Sequence, residues 1–289
     1  MKRRHAMAIQ HSTFNIEHST LGLNASPSVM GILNITPDSF SDGGVHFDQS
    51  KAVHAALQME EDGAAIIDIG GESTRPGAEP LAAQIEIDRV LPVIEQIRRR
   101  SAVTISIDTR KAAVAEEAIG AGADLVNDVS AMRYSAGMAA VVAKSGVPVI
   151  LMHMRGEPAT MQQFAVYDDV VTDVGRELSS MIDDAVEAGV DPGKILIDPG
   201  IGFAKTFDQN LELLARAHEL TALGPLVIGA SRKAFIGHLT RRPSGPDRAL
   251  GSLAAVAAAQ RAGAAIVRVH DVRATVDFLK VLLAIEAKR

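Results

Sequence analysis

From Ser28 onward the chain repeats one rhythm: a short apolar run, a small or polar cluster, then a longer stretch of helical periodicity. The apolar runs span 29–35, 64–69, 103–107, 123–126, 147–152, 194–197, 226–228 and 264–269. Each is short and largely uninterrupted, the pattern of a strand buried on both faces of a parallel sheet. Between the runs, apolar residues recur at steps of three and four. Val170, Val174, Leu178, Met181, Ile182 and Ala185 make one such stripe, and Val272, Val276, Leu279 and Leu283 another. Gly63, Gly122, Gly189 and Gly193 stand where helices should stop. Eight strand-then-helix units predict a single (β/α)8 TIM barrel. A doubly wound open sheet is the rival, but polar clusters follow nearly every run, and no G-x-G-x-x-G follows the first.

Residues 1–27 precede the rhythm. Phe14, Ile16, Leu21 and Leu23 predict a short hairpin capping the barrel's N-terminal end, and 1–11 read as a flexible tail before a barrel domain at 12–289. Two βα connections are long. The first helix should not begin before Asp48, which leaves a loop at 36–47; a second, at 70–78, is rich in Gly and Pro. Connections of that length are commonly binding loops or lids.

Composition narrows the chemistry. The 289 residues carry 29 Lys and Arg against 35 Asp and Glu, a formal charge of −6, with no basic stripe to track a nucleic acid. There is no Cys, which excludes disulfides, thiolate metal sites and a Cys nucleophile. No apolar run reaches the roughly 20 residues a membrane span needs. The basic start, Met1 to Arg4, leads into no continuous apolar stretch, so the cytoplasm is the expected compartment.

In a barrel the strand C-termini converge on one mouth. Reading just past each run gives Asn34, Glu72-Ser73-Thr74-Arg75, Asp108, Asn127-Asp128, His153, Asp198, Ser231-Arg232-Lys233, and Arg268 with His270. This ring of carboxylates, amides and cations lacks zinc-site spacing and a G-x-S-x-G elbow. Each member also has a plainer role. Asp108 and Asp271 can cap helices, and for each taken alone that is the preferred reading. Asn127 and Asp128 can make an Asx turn, Arg232 and Lys233 can be solvated charges, and His153 can be a satisfied core histidine. Asp198 resists such a reading, because it ends a buried strand and Pro199-Gly200 follows.

Six segments then carry a resemblance: GILNITPDSFSDGG at 31–44, GGESTRPG at 70–77, NDVS at 127–130, DPGIGFAKT at 198–206, GASRKAFIG at 229–237 and RVHD at 268–271. Together they resemble the dihydropteroate synthases, pterin-binding barrels, over essentially the whole barrel. Ala204 stands where many members have Gly. The resemblance implies condensation of 6-hydroxymethyl-7,8-dihydropterin diphosphate with 4-aminobenzoate, giving 7,8-dihydropteroate and diphosphate. It implies a pterin site at Asp108, Asn127, Met152, Asp198, Phe203, Gly229, Lys233 and Arg268. It puts diphosphate at Asn34, Thr74, Arg75, Arg268 and His270, with Mg2+ at Asn34. It puts 4-aminobenzoate at Phe40, Pro76, Phe203, Ser231 and Arg232. Asn34, Arg75, Lys233, Arg268 and His270 are the implied catalytic set, and a homodimer with no nucleic-acid or membrane partner is the implied assembly. A methyltetrahydrofolate-dependent corrinoid methyltransferase, or a non-catalytic pterin-binding relative, are the alternatives. The long first loop and the GASRK segment argue against the former, and the intact ring argues against the latter.

Overall fold

The computed structural model describes residues 13–16, 19–22, 26–35, 49–73 and 81–288. An antiparallel hairpin, β1 (Thr13–Ile16) with β2 (Ser19–Gly22), comes first, with Phe14 opposite Leu21. The expected tail at 1–11 lies outside the described residues, as does the packing of the hairpin's side chains.

Eight parallel strands follow: β3 (Ser28–Asn34), β4 (Ile66–Gly70), β5 (Thr104–Asp108), β6 (Leu125–Asp128), β7 (Val149–Met152), β8 (Ile195–Asp198), β9 (Val227–Ile228) and β10 (Ile266–Val269). Hydrogen-bonded neighbours run β8-β7-β6-β5-β4-β3-β10-β9, and a parallel bridge from Leu226 to Ile197 closes β9 onto β8. The closed ring excludes the open-sheet alternative and gives the (β/α)8 barrel. Among the described residues the first helix starts at Gln49, and the 170–185 stripe lies on the helix Val170–Glu187. No helix among the described residues is long and apolar enough to cross a membrane.

Side chains alternate across a strand, so every second residue faces the barrel interior. At the floor these positions are apolar: Met30, Ile66, Leu125, Ile150, Leu196, Val227 and Ile266 form one buried cluster. Two residues further on, the inward positions become Asp68, Asn127, Met152, Asp198, Gly229 and Arg268. The mouth is thus six of these seven strands continued by one repeat, four of them with a polar side chain. The outward positions join the outer helices in a single large aliphatic core. Several strands start later than the apolar runs suggest and end one or two residues further on. Ala64, Ala65, Val147 and Pro148 belong to the turns into strands, while Gly70, Asp108, Asp128 and Asp198 close them.

The floor of the barrel is fastened by one ion pair. Arg98 reaches Asp124 at 2.5 Å and also donates to the carbonyls of Gly122 and Val103. Asp124 accepts from the Ile105 amide at 2.8 Å. Breaking a buried pair from one side leaves a charge uncompensated, so Asp124→Ala should lose about 3 kcal/mol of stability in urea titration. Because this face is opposite the mouth, ligand binding at the mouth should not change.

Candidate active site

The inward residues of five strands and the turns beyond the strands line one cleft that opens to solvent. It is lined by Asp108, Asn127, Met152, Asp198, Phe203, Gly229, Lys233 and Arg268, with Val129 and Ile201 beside them. The eight residues grouped from the sequence as a pterin site are therefore all brought together.

Arg268, on β10, organises one side. Its Nε meets Asp68 at 2.5 Å and an Nη meets Asp108 at 2.6 Å. Asp68 is fully buried and also accepts from Asn127 Nδ2 at 3.1 Å. That bond fixes the Asn127 amide, leaving its carbonyl oxygen free to act as an acceptor. Asp68 is missing from the sequence reading, which looked past the strand ends, whereas Asp68 sits inside β4. A lone carboxylate within Ile66-Ile67-Asp68-Ile69 was the available signal. Burial raises Asp108 well above the ordinary carboxylate range; Arg268 opposes that shift, and Asp68 adds to it. Asp108 is not a helix cap, because the helix Ala112–Gly120 starts after Lys111 and Asp108 is engaged by Arg268.

Asp198 ends β8 on the other side. One oxygen accepts from the Gly200 amide at 2.7 Å, and the other lies near Gly229, where a Cβ would be 3.6 Å away. Burial raises this carboxyl too, against the Gly200 amide and the charges of Lys233, Arg268 and Lys205. The turn after Asp198 carries positive φ at Gly200, Gly202 and Ala204, the last at +50°. Ala204 thus occupies a left-handed position that favours glycine. Phe203 packs with Met152, Met154 and Val129, and Lys233 Nζ stands 4.2 Å from its ring centroid. Burial lowers Lys233 to about 8.

Beyond β9 and β10, Ser231 Oγ accepts from the His270 amide at 3.2 Å and lies 3.1 Å from His270 Nδ1. Burial first, then Arg232 and Arg268, lowers His270 to about 4, so at neutral pH it offers a hydrogen-bond donor rather than a charge. Arg232 is no solvated charge: its guanidinium pairs with both oxygens of Asp271, by Nε at 3.0 Å to Oδ2. Asp271 does stand at the N-cap of the last helix, but its side chain makes no capping bond and serves Arg232 instead. The Asx-turn reading divides. Asp128 accepts from Ser130 and Met132, as such a turn requires, whereas Asn127 turns to Asp68.

Asn34 ends β3 opposite Gly70, and a Cβ on Gly70 would lie 3.6 Å from Asp108 Oδ2 and 3.7 Å from Asn34 Oδ1. Glu72 ties the base of the second loop, accepting from Leu81 N at 2.8 Å and pairing with Arg110 and Lys111. Phe40, Thr74, Arg75 and Pro76, and the 36–47 loop, lie outside the described residues. Among the described residues no group of three His, Asp or Glu could hold a metal ion.

Comparison with known proteins follows the same residues. A family model described as pterin binding enzyme matches residues 30–270. A dihydropteroate synthase of Synechocystis is 48% identical over 254 residues, covering 88% of each chain. One from Escherichia coli K12 is 46% identical over 260 residues, 89% of this chain and 91% of that one. Among solved structures, Xanthomonas albilineans dihydropteroate synthase with 4-aminobenzoic acid superposes at TM-score 0.89 and 46% identity, covering 96% of this chain and 98% of that one. The same enzyme in complex with 7,8-dihydropteroate gives 0.86 at 43% identity, covering 95% and 99%.

Proposed function

The chain belongs to the dihydropteroate synthases of the pterin-binding enzyme family, and from that premise we propose how its residues divide the work. The reaction is an alkyl transfer in folate biosynthesis. The amine of 4-aminobenzoate replaces diphosphate on the methylene carbon of 6-hydroxymethyl-7,8-dihydropterin diphosphate.

The observation that carries the assignment of roles is the pairing of two buried carboxylates with an oriented amide in one cleft. The pyrimidine edge of a pterin presents N–H donors beside a carbonyl. Asp108, Asp198 and the Asn127 carbonyl accept from the donors, and charge-assisted bonds of this kind are directional enough to orient a flat ring. Lys233 donates to ring acceptors, and Met152, Phe203 and Arg268 enclose the ring faces above Gly229. Asn34, His270 and Arg268, joined by Thr74 and Arg75, hold the diphosphate. Arg75, Arg268 and His270 stabilise the charge that grows on it as it leaves. Ser231 and Arg232, with Phe40, Pro76 and Phe203, receive 4-aminobenzoate; Asp271 keeps the Arg232 guanidinium in one orientation for that task.

Mg2+ fits this donor set as a companion of the diphosphate. Asn34 supplies one neutral oxygen, and hard divalent ions of this size take most of their remaining ligands from phosphate and water. When bound it would offset the negative charge of the leaving group.

Electron donation from the dihydropterin ring lets diphosphate depart before the weakly nucleophilic amine attacks, so no general base is required. Water must be kept from the activated carbon. Steady-state turnover with both substrates and Mg2+ should yield dihydropteroate and diphosphate in equal amounts. Absence of product with either substrate omitted is the control, and absence with both present would overturn the reading.

Both pterin carboxyls have raised pKa values, and their ionised forms are the stronger acceptors of N–H bonds. Pterin binding should therefore release protons below neutrality. Calorimetry at pH 6 in buffers of different ionisation enthalpy should show net release that fades towards pH 8.

The assembly is proposed to be a homodimer. Leu250 and Leu239, 83% and 60% exposed, lie on the neighbouring helices Ala249–Arg261 and Ala234–Thr240 and supply an apolar face for it. Leu250→Asp should shift the sedimentation coefficient to that of a monomer. The cytoplasm is the proposed compartment.

A further inference from the structure

Lys205 is buried, only 3% exposed, and takes no part in the chemistry described above. Its ammonium donates to the Phe203 carbonyl at 2.9 Å and lies 3.1 Å from His153 Nδ1. His153 Nε2 meets Glu177 at 2.9 Å, and Arg155 grips the same carboxylate. The contact with Glu177 sets the imidazole proton on Nε2, which leaves Nδ1 to accept from Lys205. The backbone follows the same line. The His153 amide donates to the Asp198 carbonyl at 2.8 Å, and a Cβ on Gly200 would stand only 2.0 Å from the His153 carbonyl oxygen. Tyr167, stacked on Arg155, donates to the Ala204 carbonyl at 3.0 Å.

We propose that Lys205 is a positioning residue of the pterin pocket: with His153 and Glu177 it pins the 198–205 turn, so that the Asp198 carboxylate and the Phe203 ring face one cleft. The proposal rests on the reading of Asp198 as a pterin ligand.

The turn needs such a pin. Three of its residues hold left-handed backbone, and all but Gly202 are buried. A neutral side chain could fill the space, and a well-packed apolar one is often as stable as a buried charge. The buried ammonium therefore points to an electrostatic task. Lys205 is one of three cations that favour ionised Asp198, together with Lys233 and Arg268. The groups facing Lys205 itself are Asp198 from β8, Glu177 from the helix Val170–Glu187, His153 and Arg155 from the segment after β7, and Lys233 from the turn after β9. Burial lowers Lys205 to about 7, and Asp198 and Glu177 oppose that shift.

The signs follow. Without the Lys205 charge, Asp198 takes up a proton more readily, so pterin affinity is lost at higher pH on the acid side. Without Glu177, Lys205 loses its proton more readily, so affinity declines at lower pH on the alkaline side.

The test is calorimetric titration of 6-hydroxymethyl-7,8-dihydropterin from pH 5 to 9 into the parent, Lys205→Met, Glu177→Gln and Asp198→Asn. The ligand's own titration is common to all four. Lys205→Met should bind about tenfold more weakly at pH 6, where the parent Lys205 is charged, and move the acid limb upward. Glu177→Gln, changed at a half-exposed site, keeps the proposal testable if Lys205→Met does not fold; its alkaline limb should move downward. A spacer role alone would move neither limb. Parent-like profiles in the variants that fold, with affinity lost in Asp198→Asn, would overturn the role of Lys205 alone. Parent-like affinity in Asp198→Asn would overturn the pocket assignment and this inference with it.

Discussion

Asp198→Asn should cost about a hundredfold in pterin affinity and leave the melting temperature equal or slightly higher. The asparagine keeps an oxygen for the Gly200 amide, which Asp198 now engages at 2.7 Å. What it loses is the second acceptor, the oxygen on the Gly229 side. A mismatched buried bond to a charged acceptor is worth up to about 3 kcal/mol, which converts to that hundredfold. The stability half of the expectation follows from linkage. The folded-state pKa of Asp198 is raised by burial, so the group favours folding fully below the ordinary carboxylate pKa of about 3.9. That contribution is lost as pH rises through the raised value. At neutral pH the buried carboxylate therefore weakens the fold, and the neutral amide removes that penalty. Titration calorimetry and a thermal melt on the same preparation separate the two effects. A large fall in melting temperature would mean that Asp198 serves the fold instead.

Asp198 was legible because its neighbours excluded the plainer roles. Pro199-Gly200 discourages an immediate helix, so a carboxylate at the end of Ile195-Leu196-Ile197 was hard to read as a cap and pointed to the mouth. The eight-unit rhythm was legible for a similar reason: an aliphatic core built on few aromatics leaves clean apolar runs. Two residues that matter to the pocket escaped. Asp68 lies two positions before the end of β4, and only knowledge of which strand face turns inward distinguishes it from an outward polar residue. Lys205 acts from beneath its turn, through contacts to His153 and Phe203 that are 52 and 2 residues away along the chain. Neither spacing repeats anything a sequence pattern records. The misread caps have a common cause. Asp108 and Asp271 occupy positions where capping is locally sensible, but each meets an arginine brought in from a distant strand or turn, and a paired guanidinium outcompetes a backbone amide.

Asp108→Asn should have opposite effects on the two halves of the same substrate. Pterin affinity should fall about a hundredfold, by the argument used for Asp198. Diphosphate affinity, measured without pterin, should rise about fivefold. The second expectation comes from Arg268, whose guanidinium is shared between Asp68 at 2.5 Å and Asp108 at 2.6 Å. A pterin that hydrogen-bonds to Asp108 competes with Arg268 for the same carboxylate. The displaced edge of the guanidinium then turns to the phosphate oxygens, while Asp68 keeps Nε in place. Asparagine holds that edge weakly from the outset, because its oxygen carries no net charge. In the parent, pterin should therefore tighten diphosphate binding, by the 5- to 150-fold usual for coupled sites at about 1–3 kcal/mol, and the effect must be reciprocal. In Asp108→Asn the coupling should vanish. The measurement is titration of diphosphate in magnesium buffer, with and without 6-hydroxymethyl-7,8-dihydropterin, for both proteins. Coupling that survives in the variant, or diphosphate binding weaker than the parent's, would show that Asp108 does not restrain Arg268. The order of events on the enzyme follows from the same exchange. Ring recognition frees the arginine that the leaving group needs, so a diphosphate without its pterin meets a site whose strongest described cation is already paired.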